Sequence, residues 1–200
     1  LFDANARMVA QALIGSPGHI NSLGAAAENL IREIPVDELN DGDVLITNDP
    51  WMSAGHFFDI TILTPIFRFD RLIGFCGSTI HHTDIGGYGI GAGARDIHEE
   101  GLWIPVLKLY NKGELNETLA KIIETNVRTP KAIFGDLGAQ VASGKTGAER
   151  LNAMCDRYGI DEIELLSNEI ISRSETSTRE AIKKLTGGTF VGDCTSDVPG

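Results

Sequence analysis

Four of the chain's five histidines, His56, His81, His82 and His98, fall between residues 56 and 98, together with Asp59, Asp84, Glu99 and Glu100. Imidazoles and carboxylates at this density are the donors that hold a divalent cation. His56 and Asp59 stand three residues apart just ahead of an apolar run at 60–67, and His81-His82-Thr83-Asp84 follows a second apolar run at 72–80. If the two runs pair as a hairpin around the polar break Asp70-Arg71, residues 59 and 81 lie side by side, with Cα atoms roughly 5 Å apart. His56, Asp59 and His81 then reach one ion. Two neutral imidazoles and one carboxylate suit Zn²⁺, Mn²⁺ or Fe²⁺ and leave positions open for water or substrate. An ion held this way polarises a carbonyl and lowers the pKa of water from about 15.7 towards 7, so hydrolysis or enolate stabilisation becomes feasible at neutral pH. The plain alternative is that His81 and His82 are a strand-end pair hydrogen-bonded to backbone while Asp59 caps a turn.

Adjacent strand residues point to opposite faces, so His81 and His82 cannot both face the same ion. His82, Asp84 and Glu100 are the candidates for catalytic work beside the trio; for Glu100 the competing reading is a solvated loop carboxylate. Asp49, in the turn signature Asn48-Asp49-Pro50, is a candidate for orienting a ligand imidazole from outside, against the simpler reading of an Asx turn. The run Gly87-Tyr88-Gly89-Ile90-Gly91 gives GxGxG, but no Lys-Ser/Thr follows and the third glycine of a dinucleotide fingerprint is misplaced. Gly144-Lys145-Thr146 resembles the tail of a phosphate loop but lacks a glycine five residues earlier. ATP, if used, is bound by something else.

The elements that must position these residues divide into two kinds. The first part, 1–110, reads as mixed α and β. Arg7-Met8-Val9-Ala10-Gln11 is β-like, a helix begins near Asn21 or Ser22, and Leu23, Ala26, Ala27, Leu30, Ile31 and Ile34 give it one apolar face. A short strand follows at 44–47 and then the hairpin. The glycine-dense stretch 85–101 predicts irregular backbone. The second part, 111–187, reads as helical: Asn116 caps one helix, Thr129-Pro130 opens another with Pro in its first turn, Gly159 ends it, and Asp161 caps the last. Residues 188–200 read as the start of a further strand region. The fold class predicted is α+β.

With 42% hydrophobic and 22% charged residues, a chain of 200 is sufficient for an ordinary core and is not composed like a disordered one. The net charge of −11 with scattered Lys and Arg offers no basic face for nucleic acid. No apolar run is long enough for a membrane helix. Cys76, Cys155 and Cys194 are far apart and form no CxxC, against a disulfide framework or thiolate zinc site, and a reducing cytoplasm fits best. The chain opens without Met and ends where a strand pattern starts, so it is expected to be a segment of a longer subunit.

Several ordered blocks resemble the hydantoinase B/oxoprolinase family: Gly42-Asp43-Val44, Asn48-Asp49-Pro50, Gly55-His56-Phe57-Phe58-Asp59, His81-His82-Thr83-Asp84-Ile85-Gly86-Gly87, Glu99-Glu100-Gly101-Leu102-Trp103, Asn126-Val127-Arg128-Thr129-Pro130 and Gly135-Asp136-Leu137-Gly138-Ala139-Gln140. The resemblance implies a B-type subunit holding a divalent metal, Zn or Mn, through a His-x-x-Asp pair and a His 25 residues on, which fall at His56, Asp59 and His81. A further Asp ligand is implied upstream of Leu1. The resemblance also implies an A-type partner that binds ATP and activates the substrate, in a hetero-oligomer whose metal site completes ring opening of a cyclic amide or, alternatively, carboxylation of a ketone. A free-standing Fe(II) oxygenase on the same trio, or a scaffold subunit with structural histidines, are the rival readings. Ser53-Ala54 before Gly55-His56 and the glycine-rich loop depart from the family's usual pattern and leave the substrate open.

Overall fold

In the computed structural model of this chain the described residues are 1–13, 15–89, 91, 93–185 and 187–195. They form six strands and five helices, β1 (Phe2–Asp3), α1 (Pro17–Glu33), β2 (Val44–Thr47), β3 (Asp59–Arg68), β4 (Arg71–His81), α2 (Ile97–Glu100), β5 (Leu107–Asn111), β6 (Glu114–Leu115), α3 (Glu117–Asn126), α4 (Pro130–Tyr158) and α5 (Glu164–Lys183). The strands make one sheet in the order β1-β4-β3-β2-β5-β6, with every pairing antiparallel. The fold is therefore mixed α and β. None of the helices among the described residues is long and apolar enough to cross a membrane.

Alternation along the strands decides what lies on each face. Leu45, Leu63 and Phe75 pack with Phe2 and with Ala26, Ala27 and Leu30 of α1. Val44, Ile46, Ile60 and Ile62 point the other way, onto Leu119 and Ile123 of α3 and Ile133, Leu137 and Val141 of α4. The sheet is thus the middle of three layers. The seam between α4 and the sheet is narrow because Gly144 and Gly147 bring the helix against Thr64 and Cys76, where a Cβ would collide. These two glycines, which weaken the helix by propensity alone, leave α4 continuous over 29 residues because packing outweighs their cost.

The hairpin that matters for the site is the β3–β4 pair. Its turn is Phe69-Asp70, both residues with positive φ, one residue earlier than the break expected at Asp70-Arg71. Asp tolerates this conformation well and Phe poorly, so a two-residue turn of this type is carried by the ladder around it. Near the turn Phe67 pairs with Leu72 but Ile66 pairs with Gly74, so Ile73 is an extra residue in β4. That bulge carries the register to Asp59 opposite His81.

Other expectations meet different outcomes. Asn116 and Thr129 stand at the N-caps of α3 and α4, and Gly159 closes α4 in the left-handed conformation. The stretch 85–96 is irregular at its described positions, as its glycines predict, and residues 90 and 92 lie outside the described residues. Residues 7–11 are not a strand: Met8 makes a single bridge to Phe2, and the Asp3 carboxylate folds the chain back by accepting from the Asn5 and Arg7 N–H groups. Helix α1 starts at Pro17, with Ser16 at its N-cap, four residues ahead of Asn21. Helix α5 starts at Glu164 with Ile163 at its N-cap, not at Asp161. The chain at 187–195 runs in no regular element, and 196–200 lie outside the described residues.

Candidate metal centre

Asp59 opens β3 on the face turned to α1, and its carboxylate is almost completely shielded, 1% exposed. His81, its cross-strand partner, places Nδ1 2.9 Å from Asp59 Oδ1. His56 comes from the turn before β3, where Asp59 N–H donates to His56 O at 3.3 Å, and its Nε2 lies 2.8 Å from Asp59 Oδ2. The trio expected from the sequence is thus assembled, each residue offering a ligand atom within 4.8 Å of the others. The His56 and His81 rings face each other with centroids 4.9 Å apart, and His81 stacks on Phe58 at 5.5 Å. Both imidazoles are partly open to solvent.

The charges around Asp59 are unlike those at the chain's other buried carboxylates. Asp3 is paired with Arg7, Asp43 with Lys108 and Asp84 with Arg128. Among the described residues Asp59 has only imidazoles: His56, His81 and, from the first turn of α1, His19, whose Nε2 lies 3.0 Å from Oδ2. A desolvated carboxylate needs a compensating positive charge, and no Arg or Lys among the described residues pairs with this one. The donor types fit a divalent cation: two imidazole nitrogens and a carboxylate, gathered within 4.8 Å of one another, are ligands that such an ion takes. His19 is not among the candidates expected from the sequence, whose histidines come from the cluster between residues 56 and 98. The signal that would include it is Ser16-Pro17, the same cap-then-proline pattern as Thr129-Pro130.

The residues expected to do catalytic work lie apart from the trio. His82 is fully buried on the opposite face, against α4, with Nε2 3.3 Å from Gln140 Oε1. Gln140 in turn donates to Ile60 O, Ser78 O and Ser78 Oγ, so its oxygen faces His82 and the imidazole carries its proton on Nε2. Among the described residues Nδ1 has no hydrogen-bond partner, and burial pushes the His82 pKa down. Asp84 accepts from the backbone N–H groups of Gly86, Arg128 and Thr129 and from the Arg128 guanidinium. Burial alone would raise its pKa, but these donors outweigh it and hold the carboxyl below its ordinary value. Arg128 also donates to Gly86 O and Gly87 O, so Asp84 and Arg128 together pin the glycine loop to the start of α4. Gly87 has positive φ there, and a Cβ would press on the Glu99–Glu100 backbone.

Glu100 lies nearer the trio's own loop, its Oε2 accepting from Phe57 N–H at 3.1 Å. Asp49 does not back a ligand imidazole; its carboxylate accepts from Trp51 N–H, Met52 N–H and Trp103 Nε1–H. Its short side chain is spent on its own turn, as the Asx-turn reading has it. The work of fixing the approach to His56 falls instead to Asn48, fully buried and saturated: it donates to Phe57 O and Leu102 O and accepts from Ile104 N–H.

The chain matches the hydantoinase B/oxoprolinase family over residues 1–199. It is 36% identical, over 88% of its length, to the B-type chain of a putative D-/L-hydantoinase of Pseudomonas sp. strain NS671, covering 30% of that protein. It is 31% identical to the β chain of the caprolactamase of Pseudomonas jessenii, over 96% of this chain and 33% of the relative. The crystal structure of the ATP-dependent caprolactamase of that organism superimposes with a TM-score of 0.78 at 31% identity, over 86% of this chain and 30% of the other. A nucleotide-free acetone carboxylase structure shares the fold at a TM-score of 0.65 and 24% identity, over 75% of this chain and 20% of that one. The chain spans about a third of the length of the relatives named here. It belongs to the hydantoinase B/oxoprolinase family.

Proposed function

We propose that this chain carries the metal centre of a B-type subunit in an ATP-dependent cyclic-amide hydrolase, with Zn or Mn held by His56, Asp59 and His81. The observation that carries this reading is Asp59, a shielded carboxylate ringed by imidazoles where every other buried carboxylate of the described chain has an Arg or Lys. When bound, the ion supplies a Lewis acid for a carbonyl oxygen and a water acidic enough to ionise near neutrality. His56 and His81 present ring nitrogens from two different segments, the turn before β3 and the end of β4, and the β3–β4 ladder fixes His81 opposite Asp59. Phe58 holds the plane of His81 and keeps water from one side of it. His82 and Asp84 support the site, the first through Gln140 and the second through the glycine loop, while Glu100 steadies the His56 loop from the open side.

Cyclic amides are the substrate class because the relatives above 30% identity named here are a hydantoinase chain and a caprolactamase chain. The likeness to acetone carboxylase is one of fold. An A-type subunit that holds ATP and activates the amide completes the reaction, since the described chain has no phosphate loop of its own. The test is metal analysis of the full-length protein and of His81→Ala, followed by assay of the complex. About one ion per chain is expected, lost in His81→Ala together with turnover of hydantoin, 5-oxoproline or a lactam in the presence of ATP. Retained metal in His81→Ala, or turnover only of a ketone with ATP and bicarbonate, refutes the proposal.

A further inference from the structure

Helix α1 begins with Ser16 at its N-cap and Pro17 in its first turn, which sets His19 two residues further on. That turn is locked: His19 N–H donates to Ser16 O, and Ser22 Oγ donates back to the carbonyls of Gly18 and His19. Leu23, one turn along, packs with the core cluster that holds Phe2, Leu63 and Phe75. His19 thus continues the face of α1 that lies on the sheet, and its ring meets Asp59 there. Asp59 Oδ1 faces His81, whereas Oδ2 faces both His56 and His19, at 2.8 and 3.0 Å. His56, Asp59 and His81 form the group whose ligand atoms are mutually within 4.8 Å, and His19 stands outside it.

Building on the metal reading above, we infer that His19 is a positioning residue, donating Nε2–H to Asp59 Oδ2 to fix the carboxylate plane for the ion. A carboxylate offers about four acceptor directions, so a hydrogen bond on one side leaves the remainder for the cation. Partners of this kind orient the ligand and raise metal affinity, and losing one typically costs about 10–100-fold in binding. The contact also ties α1 to the open end of the β3–β4 hairpin, beside the last cross-strand bond, from His82 N–H to Phe58 O at 2.7 Å.

The experiment uses the full-length protein and its His19→Ala, His19→Gln and His81→Ala variants, with Zn²⁺ affinity measured by chelator competition and Co²⁺ absorption read on each. His19→Ala is expected to weaken Zn²⁺ binding by about 10–100-fold while leaving the Co²⁺ bands in position and intensity as in the wild type. His19→Gln, whose amide N–H reaches the same oxygen, recovers most of the affinity, and His81→Ala loses both binding and bands. Wild-type affinity in His19→Ala, a Co²⁺ spectrum altered as by ligand loss, or no recovery in His19→Gln overturns the inference. A wild-type protein that takes up no Zn²⁺ overturns the metal reading itself, which the other outcomes leave standing.

Discussion

Replacing Gly144 by Ala tests how tightly α4 is seated against the strands that carry the trio. A Cβ at residue 144 would lie 2.9 Å from Thr64 Cβ, about half an ångström short of ordinary carbon–carbon contact. Rotating Thr64 moves its hydroxyl but not its Cβ, which belongs to a strand paired with β2 on one side and β4 on the other. The helix must therefore back away, although Gly147 against Cys76 and Gln140 against Ile60 hold it down on either side. Overpacking of this kind costs about 1–3 kcal/mol. Ala gains about 1 kcal/mol over Gly in a helix interior. Gly138→Ala, on an exposed position of the same helix with nothing within 4 Å of the new Cβ, collects that gain without the collision. Comparing the two variants cancels propensity and leaves the strain, so Gly144→Ala is expected to be about 1–3 kcal/mol less stable than Gly138→Ala. Urea unfolding with equal m-values measures the difference. Two variants within about 0.5 kcal/mol of each other, the usual scatter for independent sites, would refute a close-packed seam.

Gln140→Glu replaces an amide that donates to Ile60 O and Ser78 O with an acceptor-only carboxylate in a fully buried position, at a cost of about 3–5 kcal/mol. Gln140→Leu leaves only unmet polar partners, chiefly His82 Nε2–H, and costs about 1–3 kcal/mol; a Glu variant as stable as the Leu variant in denaturant unfolding would contradict the assigned amide orientation. For Asp84 the folded pKa lies below the ordinary value of 3.8, so its contribution is complete above that value and fades as pH falls through the folded pKa. Asp84→Asn is accordingly about 1–3 kcal/mol less stable than the wild type near neutrality, with the gap narrowing in acid below about pH 4. A gap of constant size over that range counts against the carboxylate clamp.

The parts of the fold legible in the sequence are those decided by neighbouring residues. Asn116 as a cap, Pro130 in a first turn and Gly159 in the left-handed conformation each depend on one or two positions, and the structure bears them out. What the sequence misplaces depends on partners far along the chain. Residues 7–11 are apolar enough for a strand, yet the Asp3 carboxylate captures the backbone first. The β5–β6 hairpin turns at Lys112-Gly113, inside the part that reads as helical, because two-residue β6 has no periodicity to detect. Gly144 and Gly147 look like interruptions until the sheet beneath them is known.

The site divides the same way. His56, Asp59 and His81 are legible because one hairpin brings them together, and hairpin registers follow from turns. Even so, the turn alone does not produce the register expected from the sequence. The turn falls one residue early, at Phe69-Asp70, and a regular ladder from it would set Asp59 opposite Ile80. The extra residue at Ile73 restores the pairing of Asp59 with His81. Because side chains alternate, that single residue decides whether His81 faces Asp59 and α1 or turns to α4 with the buried apolar side chains. No local pattern in the sequence marks the bulge. His19 illustrates the complementary limit: the helix expected from near Asn21 or Ser22 leaves it out, and that α1 docks with this residue over Asp59 follows from packing of Leu23, Ala26 and Leu30 on the sheet. A trio within one ribbon can be read from spacing; the residue that steadies it from another layer needs the core to be built first.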